Sequence, residues 1–159
     1  MQRDQWKQTS RGAWYYEPKY FAVHEVFPPE MVDMEDVWLY LDPRVGITID
    51  RLREKYETAF MNTYGLSERI QQAYGTHYFR GWRARNCSVG ASLSQHKMGC
   101  AGDMVFAYVP AESIRADILA QPYDTTFEYI TCIETEVSWL HFDVRPRDKE
   151  NKGILIVSP

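Results

Sequence analysis

A chain of 159 residues is the usual size of one domain, and 45% apolar with 25% charged residues is typical of a globular protein rather than a disordered one. The net charge of −4 argues against binding to duplex nucleic acid, which needs a basic surface to offset the phosphates. No apolar run approaches the ~20 residues that span a bilayer, and the polar opening residues lack a secretory signal peptide. We therefore expect one domain over 1–159 with no membrane span. Three cysteines without a C-x-x-C pair favour a reducing compartment such as the cytoplasm.

The first half of the chain contains one well-marked helix signal. Residues 1–13 are polar and predict a loose N-terminal arm. The apolar segment 20–26 ends at a Pro-Pro pair, which interrupts regular structure. Asp42 and Pro43 then predict a helix start, with Asp42 as the N-cap and Pro43 in the first turn. Apolar residues recur after this start at helical spacing, so we expect one face of the helix to pack on the core. These residues are Val45, Ile49, Leu52 and Tyr56.

The rest of the chain predicts two shorter helices and a sheet. The helices are expected over 66–74, ended by Gly75, and over 112–120, stopped by Pro122. The expected strands are 79–85 (a strand or the end of one), 103–109, 127–135, 138–144 and 153–157. The segments 127–135 and 138–144 are joined by a tight turn and should pair antiparallel. This pattern predicts an α+β fold in which helices pack on one face of a small antiparallel sheet.

Two short segments, 94–103 and 139–143, carry metal-ligating residue types among small and apolar neighbours. His96, Asp103 and His141 would supply two nitrogens and one oxygen. Catalytic zinc sites use three such protein ligands and leave the fourth position to water. The spacing alone therefore suggests a metal site built from these three residues.

The same residues also have ordinary structural explanations. A lone histidine on an apolar strand, such as His141, is usually a satisfied core residue. Asp103 could equally cap or turn the chain, and Cys100 is either an inert small hydrophobe or a soft alternative ligand. Gly99 and Gly102 favour the metal interpretation, because they would let the loop turn tightly enough to aim both of its ligands at one ion.

Together the two segments form the pattern S-x-H-x-x-G-x-A-x-D followed by W-x-H-x-D. The matching residues are Ser94, His96, Gly99, Ala101, Asp103, Trp139, His141 and Asp143. An upstream stretch adds Gly81, Trp82, Arg83, Asn86, Val89, Gly90 and Ala91. The chain resembles, over about 21–144, the zinc peptidases that include D-Ala-D-Ala carboxypeptidases, vancomycin-resistance D,D-dipeptidases and phage L-alanyl-D-glutamate endolysins. This resemblance implies a hedgehog/DD-peptidase-like form of the α+β fold.

The resemblance also implies a set of site residues. The implied zinc ligands are His96, Asp103 and His141. Arg83 matches an arginine near the substrate's carboxylate or carbonyl, where its fork can donate two hydrogen bonds. Ser94, near the metal, and Trp139 are the other expected substrate contacts.

The chain departs from this family at the general base. Many members carry a glutamate three positions before the last histidine, and here that position is Ser138, which cannot accept a proton as a carboxylate does. Glu134 and Glu136 are the nearby carboxylates, and we expect one of them to be the catalytic base. The alternative is a chain that binds zinc without efficient turnover.

The expected function is therefore that of a zinc-dependent peptidase that hydrolyses peptidoglycan stem peptides or cross-links. The family and the lack of a secretion signal suggest a phage-encoded protein, made in the cytoplasm of the producing cell, that acts on the cell wall or is carried in the virion. A different expectation is a non-catalytic structural protein of a phage tail or head, with other virion proteins as partners and with the aromatic-rich segment from Trp14 to Tyr40 as an assembly surface. A third is a module that binds cell-wall peptides without cleaving them.

Overall fold

A five-stranded sheet with helices packed on one face organises residues 3–159, the part of the chain that the computed structural model describes. The helices are α1 (Val23–Val26), α2 (Pro43–Tyr56), α3 (Glu68–Tyr74), α4 (Ala111–Ala120) and α5 (Lys149–Lys152). The strands are β1 (Trp6–Gln8), β2 (Trp14–Tyr16), β3 (Ala59–Phe60), β4 (Ala101–Phe106), β5 (Cys132–Glu134), β6 (Leu140–Asp143) and β7 (Leu155–Val157). The α+β class predicted from the sequence is confirmed.

Helix α2 begins and packs as its sequence predicts. The Asp42 carboxylate accepts a hydrogen bond of 2.9 Å from the backbone N–H of Arg44, which satisfies one of the free donors at the helix start. The residues of the apolar stripe are all buried: Val45, Ile49, Leu52 and Tyr56. The helix is thereby anchored against the core along its length.

The large sheet separates the core from the face that carries the polar residues of interest. Its strand order is β3-β4-β6-β5-β7. The core-facing side chains of the central strands are Met104, Ile133, Leu140 and Phe142, and α2 and α4 contribute Leu52 and Ile114 to the same buried cluster. Because side chains alternate along a strand, Asp103, Glu134 and His141 lie on the opposite face.

The sequence predicts an antiparallel sheet, but one pair of neighbouring strands in this sheet is parallel. Strand β7 pairs in parallel with β5, whereas the other neighbours in this sheet are antiparallel. Strand β6 already occupies one edge of β5. After β6 the chain crosses to the free edge of β5, and β7 starts at the end of the sheet where β6 finishes. Strand β7 therefore runs antiparallel to β6 and parallel to β5.

Three predicted segments differ from what the structure contains. Residues 79–85 form no strand, because their backbone groups pair with several different segments: Arg80 N–H donates to the Asn62 side chain and Trp82 N–H to Val26 O. Within the predicted strand 127–135, only β5 is extended, since Phe127 closes a short 3₁₀ turn and is buried there. The predicted strand 103–109 begins earlier, at the first residue of β4, and ends at Phe106.

The N-terminal segment is also more regular than a loose arm. Residues 3–13 include β1, which pairs antiparallel with β2 to form a hairpin; Met1 and Gln2 of the predicted arm lie outside the described residues. The helices predicted over 66–74 and 112–120 are confirmed as α3 and α4, with Gly75 at the C-terminal cap of α3. Within residues 3–159, no helix combines the length and apolar character needed to cross a membrane.

Candidate metal centre

His96 is supplied by a short 3₁₀ turn, Gln95–Met98, that leads into β4. The turn ends at Gly99, whose φ of 70° is left-handed and whose absent Cβ would lie 2.1 Å from Tyr40 O. Only glycine fits both conditions. The imidazole is 2% exposed and its Nδ1 donates to Gly81 O at 2.7 Å, which leaves Nε2 as the atom that can bind a metal.

Asp103 and His141 come from the two central strands of the sheet. They are directly paired in the antiparallel register of β4 and β6, so their side chains stand next to each other on the face opposite the core. Gly102, which the sequence analysis assigned to the loop, lies inside β4. A Cβ there would come within 3.0 Å of Met61 and 3.2 Å of Phe142, so it serves packing rather than loop conformation.

The three predicted ligand residues converge on one point. His96 Nε2 lies 3.2 Å from Asp103 Oδ1 and 3.3 Å from His141 Nδ1, and His141 Nδ1 lies 2.7 Å from Asp103 Oδ1. Ligands about 2.0–2.1 Å from a tetrahedral zinc ion are separated by roughly 3.3 Å. The two distances from His96 Nε2 match this value. The distance between His141 Nδ1 and Asp103 Oδ1 is shorter because these two atoms are hydrogen-bonded. This buried His–Asp–His cluster can hold a metal ion.

Each ligand has an outer partner that orients it. Arg83 donates from Nη2 to Asp103 Oδ2 at 3.1 Å and from Nε to Phe79 O at 2.5 Å, so its guanidinium is held at two points. Asp143, which is 0% exposed, approaches His141 Nε2 at 3.7 Å. Asp143 is in turn bound by both Nε and Nη2 of Arg145. Such outer partners are what hold a ligand's ring or carboxylate in the orientation that the metal requires.

The charges of the cluster are strongly coupled. Burial opposes ionisation of Asp103, but His96 and His141 hold the pKa of its carboxyl well below the usual range. Burial also lowers the pKa of His141, yet its contacts with Asp103 and Asp143 outweigh this and raise it to about 9. Because His141 Nδ1 donates a hydrogen bond to Asp103, a metal ion bound at this nitrogen would take the place of its proton.

Replacing Asp143 by asparagine tests the outer partner of His141. Asp143→Asn keeps the size of the side chain but removes the charge that faces His141 Nε2. We expect the affinity for added zinc to fall by roughly 10–100-fold, the usual effect of losing an outer partner. Competition with a chelator measures the affinity, and thermal melting of the metal-free variant reports any loss of folding separately. Unchanged zinc affinity would contradict this arrangement.

The predicted substrate residues share one groove with the ligand cluster. The groove has a volume of about 450 Å³ and is lined by His96, Asp103 and His141 together with Arg83, Ser94, Glu134 and Trp139. Strands β5 and β6 pair Ile133 with Phe142, and the next position in this register places Glu134 opposite His141. Both side chains lie on the face of the sheet opposite the core. Glu136 is exposed, has a φ of 62° in the β5–β6 loop and is not part of the groove wall. Ser138 is exposed as well.

Two arginines that shape this region were missed in the sequence analysis. Arg145 lines the groove and binds Asp143. The only sequence feature that points to this ion pair is the spacing of two residues between the opposite charges. Arg115 is buried on α4 and donates to the carbonyls of Val137 and Trp139 at 3.0 and 2.9 Å. It thereby holds the loop between β5 and β6, next to Glu134. Nothing in the sequence near Arg115 indicates these distant acceptors.

Comparison with protein-family models, with curated proteins and with solved structures returns no match for this chain. The features that indicate a function are therefore the motif pattern and the geometry of the ligand cluster and its groove.

Proposed function

We propose that this protein is a zinc-dependent peptidase that hydrolyses peptidoglycan stem peptides or cross-links. The observation that supports it most is the buried cluster of His96, Asp103 and His141, which shares a groove with the Glu134 carboxylate. Two imidazoles and one carboxylate suit zinc, which is bound by nitrogen and oxygen ligands in hydrolytic sites. The choice of substrate comes from the resemblance of the motif to peptidoglycan peptidases.

His96, Asp103 and His141 would hold the zinc ion, which would supply Lewis acidity and lower the pKa of the attacking water toward about 7. The remaining steps belong to side chains of this chain. Glu134 accepts the proton of the attacking water on its carboxylate and passes it to the nitrogen of the departing amine. Its position opposite His141 in the sheet favours it over Glu136, which is directed to solvent. Ser94 and Trp139 orient the peptide along the groove.

The contacts of Arg83 favour a supporting function over that of a simple substrate anchor. Two of its nitrogens already donate to Phe79 O and Asp103 Oδ2, so the fork is not available as a whole for a substrate carboxylate. Nη1 makes no hydrogen bond to the described residues and lies next to Gly90, at the groove wall. Arg83 therefore holds Asp103 in place with Nε and Nη2 and presents Nη1 to a substrate carbonyl.

Substituting lysine for Arg83 separates these two functions. Arg83→Lys keeps the charge but cannot donate to Phe79 O and Asp103 at the same time. We expect zinc affinity to fall by roughly 10–100-fold, as for other outer partners, together with turnover. Zinc titration and peptide hydrolysis at saturating zinc measure the two effects. If zinc affinity stays at the wild-type value while turnover falls, Arg83 acts on the substrate alone.

The proposed activity is tested by metal analysis of the purified protein followed by digestion of purified peptidoglycan. We expect about one zinc per chain and new stem-peptide fragments, identified by mass spectrometry, that disappear with a chelator and return with added zinc. Absence of bound metal, together with no effect of zinc on thermal melting, would overturn the metal assignment. Bound zinc without cleavage would overturn the peptidase assignment.

A structural virion protein is the second candidate, and one surface favours it. Trp14, Leu39 and Tyr40 are exposed, and the last two line a groove of about 380 Å³ beside the N-terminal hairpin. Tyr16 and Trp38 from the same aromatic-rich segment are buried, so only part of the segment is available for assembly. A protein that holds zinc but cleaves no stem peptide would support this candidate.

A further inference from the structure

A second pocket opens beside the metal centre, with a volume of about 300 Å³. It shares Arg83, Asp103 and Trp139 with the main groove, so a ligand lying in the groove can extend into it. Its other wall is the irregular segment 76–80, which the catalytic proposal does not use. This pocket therefore adjoins the cluster of metal ligands without containing the two histidines.

Two hydrogen-bond donors at this pocket have no partner. Arg80 Nη1 and Trp139 Nε1 are both shielded from solvent and hydrogen-bonded to no described residue. Buried donors in folded proteins are almost always paired, and an unpaired one destabilises the protein, more so when the group is charged. Both belong to residues that line the pocket. A ligand group that paired with both would remove this cost.

The charge around the pocket is unbalanced as well. Asp103 is the one acidic residue in the described lining, and it is already engaged by Arg83 and His141. No described carboxylate forms an ion pair with Arg80. The charge of Arg80 therefore has no ion-pair partner among the described residues, which favours an anionic ligand group such as a carboxylate.

The backbone of Arg80 is fixed in a way that supports a binding function. Its N–H donates to the Asn62 side chain and its carbonyl accepts from Asp103 N–H, both at 2.8 Å. Next to it, Gly81 lies so close to Val26 O that a Cβ would come within 2.1 Å. The backbone that positions the Arg80 guanidinium is thus fixed on both sides by hydrogen bonds and close packing. Both Arg80 and Trp139 are partly exposed as whole residues. Binding at these donors requires a side-chain rotation that exposes the two nitrogens, and such rotations are common when a ligand binds.

We propose that this pocket binds one carboxylate of the ligand that occupies the groove, with Arg80 and the indole N–H of Trp139 as its donors. The proposal rests on the proposed peptidase function for the nature of that ligand. The two oxygens of a carboxylate allow one to pair with the guanidinium and the other with the indole. The carboxylate is either the C-terminus of a peptide or the side chain of an acidic residue in it.

Peptide titrations monitored by NMR test this assignment. The full ¹⁵N-labelled chain, supplied with zinc, is titrated with N-acetyl-Ala-Ala, with its C-terminal amide, and with N-acetyl-Glu-Ala-amide. The indole N–H signal of Trp139 is identified by its loss in Trp139→Phe. We expect at least one carboxylate peptide to shift this signal saturably and the uncharged amide to leave it unmoved. The peptide that acts identifies whether the C-terminal or the side-chain carboxylate is bound.

Two variants complete the test. Arg80→Gln should weaken carboxylate binding by at least about tenfold, the effect of losing a charged hydrogen bond. Arg85→Gln removes the same charge from an exposed position outside both pockets and should bind as the wild type does. If Arg80→Gln fails to fold, calorimetry on Trp139→Phe replaces it, with an expected loss of about three- to tenfold.

Equal binding of the amide, a stationary indole signal, or full affinity in the variant tested would each overturn the assignment. A carboxylate bound by the metal alone would be recognised by its insensitivity to Arg80→Gln. The readout is binding and not cleavage. A protein that binds the carboxylate peptide but cleaves no peptidoglycan stem peptide would therefore overturn the peptidase proposal and leave this one standing.

Discussion

Replacing His141 by alanine is expected to abolish stoichiometric zinc binding. The substitution removes one of three ligands and leaves only His96 and Asp103 of the metal-ligating cluster found among the described residues. The loss of affinity should exceed the roughly 10–100-fold that the loss of an outer partner causes. Elemental analysis of the dialysed protein and chelator competition measure it.

His24→Ala is the matched control for this experiment. His24 is also partly buried and packs edge-on against Tyr64, but it lies outside the ligand cluster and both pockets beside it. It should retain one zinc per chain. If His141→Ala binds zinc as tightly as the wild type, the cluster is a hydrogen-bonded structural element and not a metal centre.

Glu134→Gln is expected to lower the rate of peptide hydrolysis on the order of 10²–10⁴-fold, the usual contribution of general acid–base catalysis. Glutamine keeps the size of the side chain but cannot accept the proton of the attacking water. Zinc should stay bound, because Glu134 is not one of the clustered ligands. The measurement is the initial rate on a defined stem peptide at saturating zinc.

Glu136→Gln gives the corresponding comparison two residues away. Its side chain is exposed in the loop and does not line the groove, so this variant should hydrolyse the peptide at close to the wild-type rate. Loss of activity in Glu136→Gln with full activity in Glu134→Gln would reverse the assignment. Full activity in the double variant would show that the proton acceptor is some other group. A wild type that binds zinc and cleaves nothing would indicate that the base was lost at Ser138.

Local sequence signals were sufficient where the structure depends on neighbouring residues. The start of α2 was predicted because Asp42 caps a backbone donor two residues away, and its buried face because the apolar spacing matches one helical turn after another. The convergence of His96, Asp103 and His141 was also anticipated, although they are far apart in the chain, because the motif pattern ties their spacing to a known kind of site.

The choice between Glu134 and Glu136 could not be made from the sequence. Both are close to His141 along the chain, and only the pairing of β5 with β6 aligns one of them with the histidine and leaves the other in solvent. The partners of Arg83 and Arg115 were equally hidden, since each donates to backbone or carboxylate oxygens that other segments bring to it.

The sequence by itself thus determined which residues form the His–Asp–His cluster, the capped helix α2 and the α+β class, because the motif pattern and short-range periodicity carry that information. The tertiary structure decided the parallel pairing of β7, the irregular path of residues 79–85 and the two donors, Arg80 Nη1 and Trp139 Nε1, that no described residue pairs. Each of these three features depends on which backbone and side-chain groups, distant in the sequence, come into contact in the folded protein. A buried donor becomes costly only when packing removes water without supplying another partner.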